Sequence, residues 1–169
     1  MTVWHLVFMG VSGSGKSTAA RAVEERLGWA FAEGDDFHPP ANVAKMSAGR
    51  PLNDEDRLPW LESLAAWTRE HDAAGRPTLM TCSALRRSYR DILRGGGEHT
   101  FFVHLHGDKG MVLERMSGRE HFMPPTLLES QLDTLEPLAA DEAGMVIDPA
   151  LRPGVIAGQV LARLDLAPT

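Results

Sequence analysis

The run Gly10-Val11-Ser12-Gly13-Ser14-Gly15-Lys16-Ser17 constrains this chain more than any other stretch of it. It fits the pattern G-x-x-x-x-G-K-[ST], and its flanks fit too. Before it, Val3 to Met9 is a nearly continuous apolar run, as expected of a central parallel strand buried on both faces. After it, Ala19, Val23 and Leu27 recur every four residues and Gly28 follows, the pattern of an amphipathic helix with a glycine stop. Glycines at 10, 13 and 15 permit positive φ and let backbone N–H groups converge on a phosphate. The start of the following helix adds partial positive charge. Lys16 is placed to reach the β- and γ-phosphates, and the Ser17 hydroxyl to bind Mg²⁺. The expected ligand is a nucleoside triphosphate. No N-K-x-D guanine signature is present, so a small kinase is expected rather than a GTPase.

At 169 residues the chain is expected to form one domain, residues 1–169. Its net charge of −6, with no Lys/Arg-rich run, disfavours a nucleic-acid partner. Its apolar stretches are far shorter than the roughly 20 residues of a membrane helix. Met1 to Met9 lacks the cationic start of a signal peptide. Cys82 is the sole cysteine, so no intrachain disulfide can form. These features predict a soluble cytoplasmic protein.

Further strands are expected at Trp29–Ala32, Pro77–Cys82, Thr100–His106 and Met145–Ile147. Helices are expected near Asn42–Ser47, Asp56–His71, Arg87–Leu93 and Lys109–Met116. Another carries Leu128, Gln131, Leu132 and Leu135, and the last carries Ile156, Val160 and Leu164. This alternation predicts an α/β sandwich on a mostly parallel sheet of about five strands.

Four stretches hold candidate chemistry. Glu33-Gly-Asp-Asp-Phe-His38 follows the second strand, where an open α/β sheet faces its ligand crevice. Asp35 or Asp36 there could accept a substrate hydroxyl, hold a water on Mg²⁺, or only cap a turn. His38, taken alone, reads as a turn residue. Asn53-Asp-Glu-Asp-Arg57 reads as a helix start, which leaves Arg57, a cation near a positive helix end, as a candidate for an anionic substrate group. Ser83 lies where the third strand meets the crevice. Arg86, Arg87 and Arg90 beyond it are either anion ligands or a solvated helix face. Arg115 and Arg119 flank a segment suited to a lid, at about 117–126, closing over transferring phosphates to exclude water; an ordinary surface loop is the other reading. The histidines show no zinc-site spacing.

The stretches MGVSGSGKST (9–18), EGDDFHPPANVAKMSAGRPLNDEDRLPWL (33–61), CSALRRSYRDILR (82–94) and the H-F-M…L-x-S-Q-L-x-T-L-E-P run (121–137) together resemble the gluconokinases. The resemblance implies a P-loop NTPase fold of the nucleoside-monophosphate-kinase type: a three-layer α/β/α sandwich with a five-stranded parallel sheet and a lid. It implies ATP and Mg²⁺, transfer to D-gluconate giving 6-phospho-D-gluconate, and a homodimer. It assigns Gly10 through Lys16, Ser17 and Thr18 to the ATP phosphates, and analogy with related small kinases places the adenine between Arg115 and Pro149. Asp35 would face the substrate hydroxyl, with His38, Arg57 and Ser83 on the gluconate side, together with Arg86 and Arg90. Arg119 would be a lid arginine. Two features depart from the family pattern. Arg86 stands where a lysine is common, and no Walker-B aspartate ends the third strand, which leaves the metal with Ser17, phosphates and waters, and Asp35 behind them.

The nearest alternative is another small kinase such as shikimate kinase, which would carry a triple glycine directly after the third strand. Here Ser83-Ala84-Leu85 occupies that place. A nucleotide sensor without transfer activity is a third class, disfavoured by Lys16 and Asp35.

Overall fold

The computed structural model describes residues 2–108, 110–111 and 127–168. In chain order the elements are β1 (His5–Met9), α1 (Lys16–Leu27), β2 (Ala30–Glu33), a 3₁₀ turn (Gly34–Phe37), α2 (Pro40–Ser47), α3 (Asp54–Ala73), β3 (Thr78–Thr81), α4 (Arg87–Arg94), β4 (Thr100–Leu105), α5 (Leu127–Thr134), β5 (Gly144–Ile147) and α6 (Pro153–Leu164). The expected strands and helices all fall on these elements, apart from the helix at Lys109–Met116. Of that helix only Gly110 and Met111 are described, and both are helical.

The sheet has five parallel strands in the order β2-β3-β1-β4-β5. β1 lies at its centre, and all its residues are buried. Alternation along β1 sends Leu6 and Phe8 to one face and Val7 and Met9 to the other. The first face packs on α1 and α6 through Ala20, Val23, Ile156 and Val160. The second packs on α3 and α4 through Trp60, Leu64, Tyr89 and Leu93. Helices thus cover both faces of the sheet, the three layers expected from the sequence.

The layering also sets where a ligand can sit. The helix after β1 covers one face and the helix after β3 covers the other, although the two strands are neighbours. Their carboxyl ends therefore open into a crevice at the point where the winding reverses. Gly10 N–H donates to the Ser83 carbonyl across that point at 3.2 Å. No helix among the described residues is long and apolar enough to cross a membrane.

Candidate active site

The phosphate loop leaves β1 at Gly10, with φ +148°, and passes Gly13 and Gly15 at +82° and +91°. Gly15 is then the residue that opens α1. All three glycines occupy backbone conformations that a side chain would strain. A Cβ on Gly10 would also lie 2.7 Å from the Leu105 carbonyl oxygen. Lys16 arches back so that its Nζ donates to the Gly10 and Val11 carbonyls, both at 3.1 Å. Burial pushes the Lys16 pKa down, and the negative charges of Asp35 and Glu33 oppose that shift. The ammonium is thus held at the mouth of the loop. Ser14 is buried beneath the loop and Thr18 is exposed.

Two neighbouring hollows meet at this loop. Ser12, Lys16, Asp35, His38, Arg57, Trp60 and Ser83 help line a pocket of about 540 Å³ that opens to solvent. Lys16 and Asp35 also border a second hollow of about 440 Å³, together with Ser17, Glu33 and Thr81. Asp36 lines neither. Of the two adjacent aspartates, Asp35 is therefore the one in the crevice. On the far side of the loop, Pro149 and Leu151 form an apolar hollow of about 450 Å³ with Gly15 and Thr18.

The larger pocket is built from the ends of β2 and α3. Gly34 has an ordinary φ, so the chain does not need glycine there to turn. It needs glycine for room: a Cβ would sit 1.9 Å from the Thr81 carbonyl oxygen. Gly34 N–H donates to the Thr81 hydroxyl at 3.0 Å, and its carbonyl accepts from Trp60 Nε1 at 2.8 Å. The Trp60 ring stacks on His38, with centroids 4.0 Å apart and planes 17° from parallel. Asn53 and Asp56 form a reciprocal capping box at the start of α3. Arg57 follows in the first turn, one helical turn before Trp60, on the same face.

His38 Nε2 lies 3.9 Å from Asp35 Oδ1. Burial, helped by the Arg57 charge, depresses the His38 pKa to about 4, so the ring is neutral at physiological pH. Burial drives the Cys82 thiol up to about 12, so it stays protonated and is no nucleophile.

Two expected ligands are elsewhere. Arg90 is fully buried. Its Nε and Nη2 bind Glu142 at 2.7 and 2.9 Å, and its Nη1 donates to the Ala84 carbonyl at 2.8 Å. It braces the turn that presents Ser83 and Leu85, from behind the pocket wall. For Glu142, burial alone would raise the pKa. The hydrogen bonds from Arg90, the Ala139 N–H and Arg94 outweigh it and hold the carboxyl at about 2. Arg86 is exposed and borders a separate shallow hollow with Asp54, Glu55 and Arg57, outside the central pocket. Arg87 pairs bidentately with Asp141 and is no free helix face. Arg115, Arg119 and the expected lid lie outside the described residues.

Two residues went unnoticed in the sequence. Glu33, at the end of β2, accepts from the Ser17 hydroxyl and, at 3.0 Å, from the Thr81 hydroxyl. Its position just before Asp35 was the available signal. Gln131, on α5, accepts from the Ser12 N–H at 2.6 Å and so pins the phosphate loop from above. Its signal was its place in the L-x-S-Q-L-x-T-L-E-P run that carries the family resemblance.

No family model matches the chain. The gluconokinase of Gluconobacter oxydans (strain 621H) is 49% identical over 157 residues, spanning 92% of this chain and 88% of that protein. The crystal structure of a sugar kinase from Janibacter sp. HTCC2649 superposes with a TM-score of 0.94 at 51% identity, over 98% of this chain and 96% of that one. A gluconokinase structure from Sinorhizobium meliloti 1021 gives 0.83 at 44%, over 95% and 93%. With the phosphate loop, the two adjoining hollows and similarity along nearly the whole length, this chain belongs to the gluconokinase family of small P-loop kinases.

Proposed function

We propose that this kinase transfers the γ-phosphate of ATP to the 6-hydroxyl of D-gluconate, giving ADP and 6-phospho-D-gluconate in sugar-acid catabolism. One observation carries the reading at the level of the site: Lys16 and Asp35 line both hollows. One hollow holds the phosphate loop and suits the donor. The other holds Arg57 and His38 and suits a hydroxylated anion. A phosphoryl group passing between them crosses the two residues best suited to the transfer.

In this reading the loop from Gly10 to Thr18 holds the triphosphate, and Pro149 packs against the adenine. Arg115 is assigned to its other face by analogy with related small kinases. Arg57 binds the gluconate carboxylate, and Ser83 lines the same pocket. Asp35 accepts the proton as the hydroxyl oxygen bonds to the γ-phosphorus and the bond to the β-phosphate oxygen breaks. Lys16 balances charge moving to the departing ADP. Arg119 closes over the phosphates.

Mg²⁺ fits the residues present. The described residues contain no cluster of three or more His, Cys, Asp or Glu side chains able to cage a metal. Mg²⁺ does not ask for a cage, since it keeps waters and binds phosphate oxygens. The Ser17 hydroxyl would be its protein ligand, with Glu33 and Asp35 holding its waters. When bound it neutralises β- and γ-phosphate charge.

The protein is further proposed to act as a homodimer, as the family resemblance implies, and in the cytoplasm, as its composition and single cysteine suggest. The test of the reaction is coupled ADP release with gluconate, with shikimate and with no acceptor. ADP formed with gluconate alone is expected. Equal release in all three would overturn the reading.

A further inference from the structure

Asn42, at the start of α2, is 4% exposed, yet it touches no substrate-facing surface of the pocket. Its amide nitrogen lies 2.8 Å from the Asp56 carbonyl oxygen and 3.2 Å from His38 Nδ1. A carbonyl can only accept, so the atom facing Asp56 must be the NH₂ group. That group has two hydrogens and spends one on each neighbour. His38 Nδ1 must then accept. In a neutral imidazole the hydrogen therefore resides on Nε2.

Nε2 is the nitrogen that faces the pocket. Trp60 fixes the ring plane by stacking, so the N–H direction is fixed as well. Among the described residues Nε2 has no hydrogen-bond partner, and Asp35 Oδ1 at 3.9 Å is too far for one. An oxygen placed at about 2.8 Å from both atoms would close the triangle. Such an oxygen must accept from His38 and donate to the Asp35 carboxylate. A hydroxyl does both. A carbonyl or phosphate oxygen cannot donate, and an ammonium cannot accept.

We propose that Asn42 is a positioning residue that holds His38 as the Nε2–H tautomer, and that His38 thereby donates to a hydroxyl of the acceptor, which Asp35 engages from its other side. His38 is then a fixed donor that selects a hydroxylated substrate, and it takes no part as a base. This rests on the reading of the larger pocket as the gluconate site.

The test combines ¹⁵N-histidine NMR of the parent and of Asn42→Asp with steady-state kinetics of three His38 variants. The parent is expected to show the neutral Nε2–H form near pH 7. Asn42→Asp puts an acceptor opposite Nδ1 and is expected to move the hydrogen to Nδ1, with gluconate KM rising about tenfold, the worth of one hydrogen bond, while ATP KM holds. His38→Gln carries a donor near the Nε2 position, and His38→Asn carries one near Nδ1. His38→Gln is expected to keep a gluconate KM near the parent value, whereas His38→Asn and His38→Ala lose about tenfold. These variants keep the proposal testable if Asn42→Asp does not fold. A parent with Nδ1–H, or His38→Asn binding gluconate better than His38→Gln, would overturn it. Unchanged KM in every His38 variant would also overturn it. Arg57→Ala then separates the two failures: if it raises gluconate KM, the pocket reading stands and only this inference falls, and if it does not, the pocket reading falls too.

Discussion

The Arg57 guanidinium donates to the Tyr89 hydroxyl at 3.0 Å, and that hydroxyl donates onward to Asp54 at 2.5 Å. Burial first, and then the hydrogen bond to Asp54, raise the Tyr89 pKa, so the phenol keeps its proton and the relay keeps its direction. Tyr89 comes from α4 and Arg57 from α3, so packing of these two helices aims the arginine into the pocket. Loss of a charge-assisted contact typically costs a few kcal/mol. Arg57→Ala is therefore expected to raise gluconate KM by roughly 100-fold with ATP KM barely moved. Tyr89→Phe is expected to raise it by about tenfold, because the guanidinium remains but loses its anchor. Steady-state kinetics with each substrate varied in turn separates these outcomes from general damage, which would hit both KM values together.

Asp35→Asn keeps the shape and one acceptor oxygen while removing the charge. A kcat loss of roughly 10²-fold or more is expected, in line with general-base contributions. ATP binding, followed by equilibrium titration, should persist. Turnover near the parent rate would make Asp35 a turn residue and move the search to Asp36 or a water.

Arg90 and Glu142 pair with both side chains fully buried. Breaking such a pair from one side leaves an uncompensated charge and typically costs about 3–5 kcal/mol. Glu142→Ala is expected to lower the unfolding free energy by that amount in urea titration. A loss under about 1 kcal/mol would mean that the pair is far better solvated than its burial implies.

His104 is buried on β4, and among the described residues neither ring nitrogen has a hydrogen-bond partner. Burial, followed by the charges of His106, Arg90 and Lys16, depresses its pKa from 6.5 to about 4. The folded form is thus neutral where the unfolded chain takes up a proton. The contribution is fully present above about pH 6.5 and is lost as pH falls toward about 4, amounting to at most about 3 kcal/mol. His104→Leu is expected to flatten the pH dependence of unfolding free energy across this window by close to one proton, leaving the similar share from His38. An unchanged slope would show that His104 titrates normally.

Much of the fold is written in short-range patterns. The phosphate loop, the glycine stop after α1, the capping box of Asn53 and Asp56, and the alternation of strands and helices all depend on residues within a few positions of one another. Local sterics and hydrogen bonding decide such features, so they are readable before any tertiary contact forms. Asp35, Arg57 and Ser83 stand out from their local surroundings, whereas His38 enters only through the family resemblance. Asp35 and Ser83 follow strand ends and Arg57 opens a helix, and the fold brings all four residues to one pocket.

The fate of the remaining polar residues was set only in three dimensions. Arg90 and Arg86 read alike in sequence. Arg90 is consumed because a glutamate 52 residues away is buried against it, while Arg86 stays at the surface. Gln131 reaches Ser12 across 119 residues. Gly34, just past the end of β2, is a point of close approach to β3, where the Thr81 carbonyl leaves no room for a Cβ. In each case the deciding quantity is desolvation or close approach by a distant segment. The sequence by itself determined which local structures form and where phosphate chemistry would gather. Only the packing of those structures decided which charges face the ligand and which are neutralised inside, because burial of a charge is a property of everything that surrounds it.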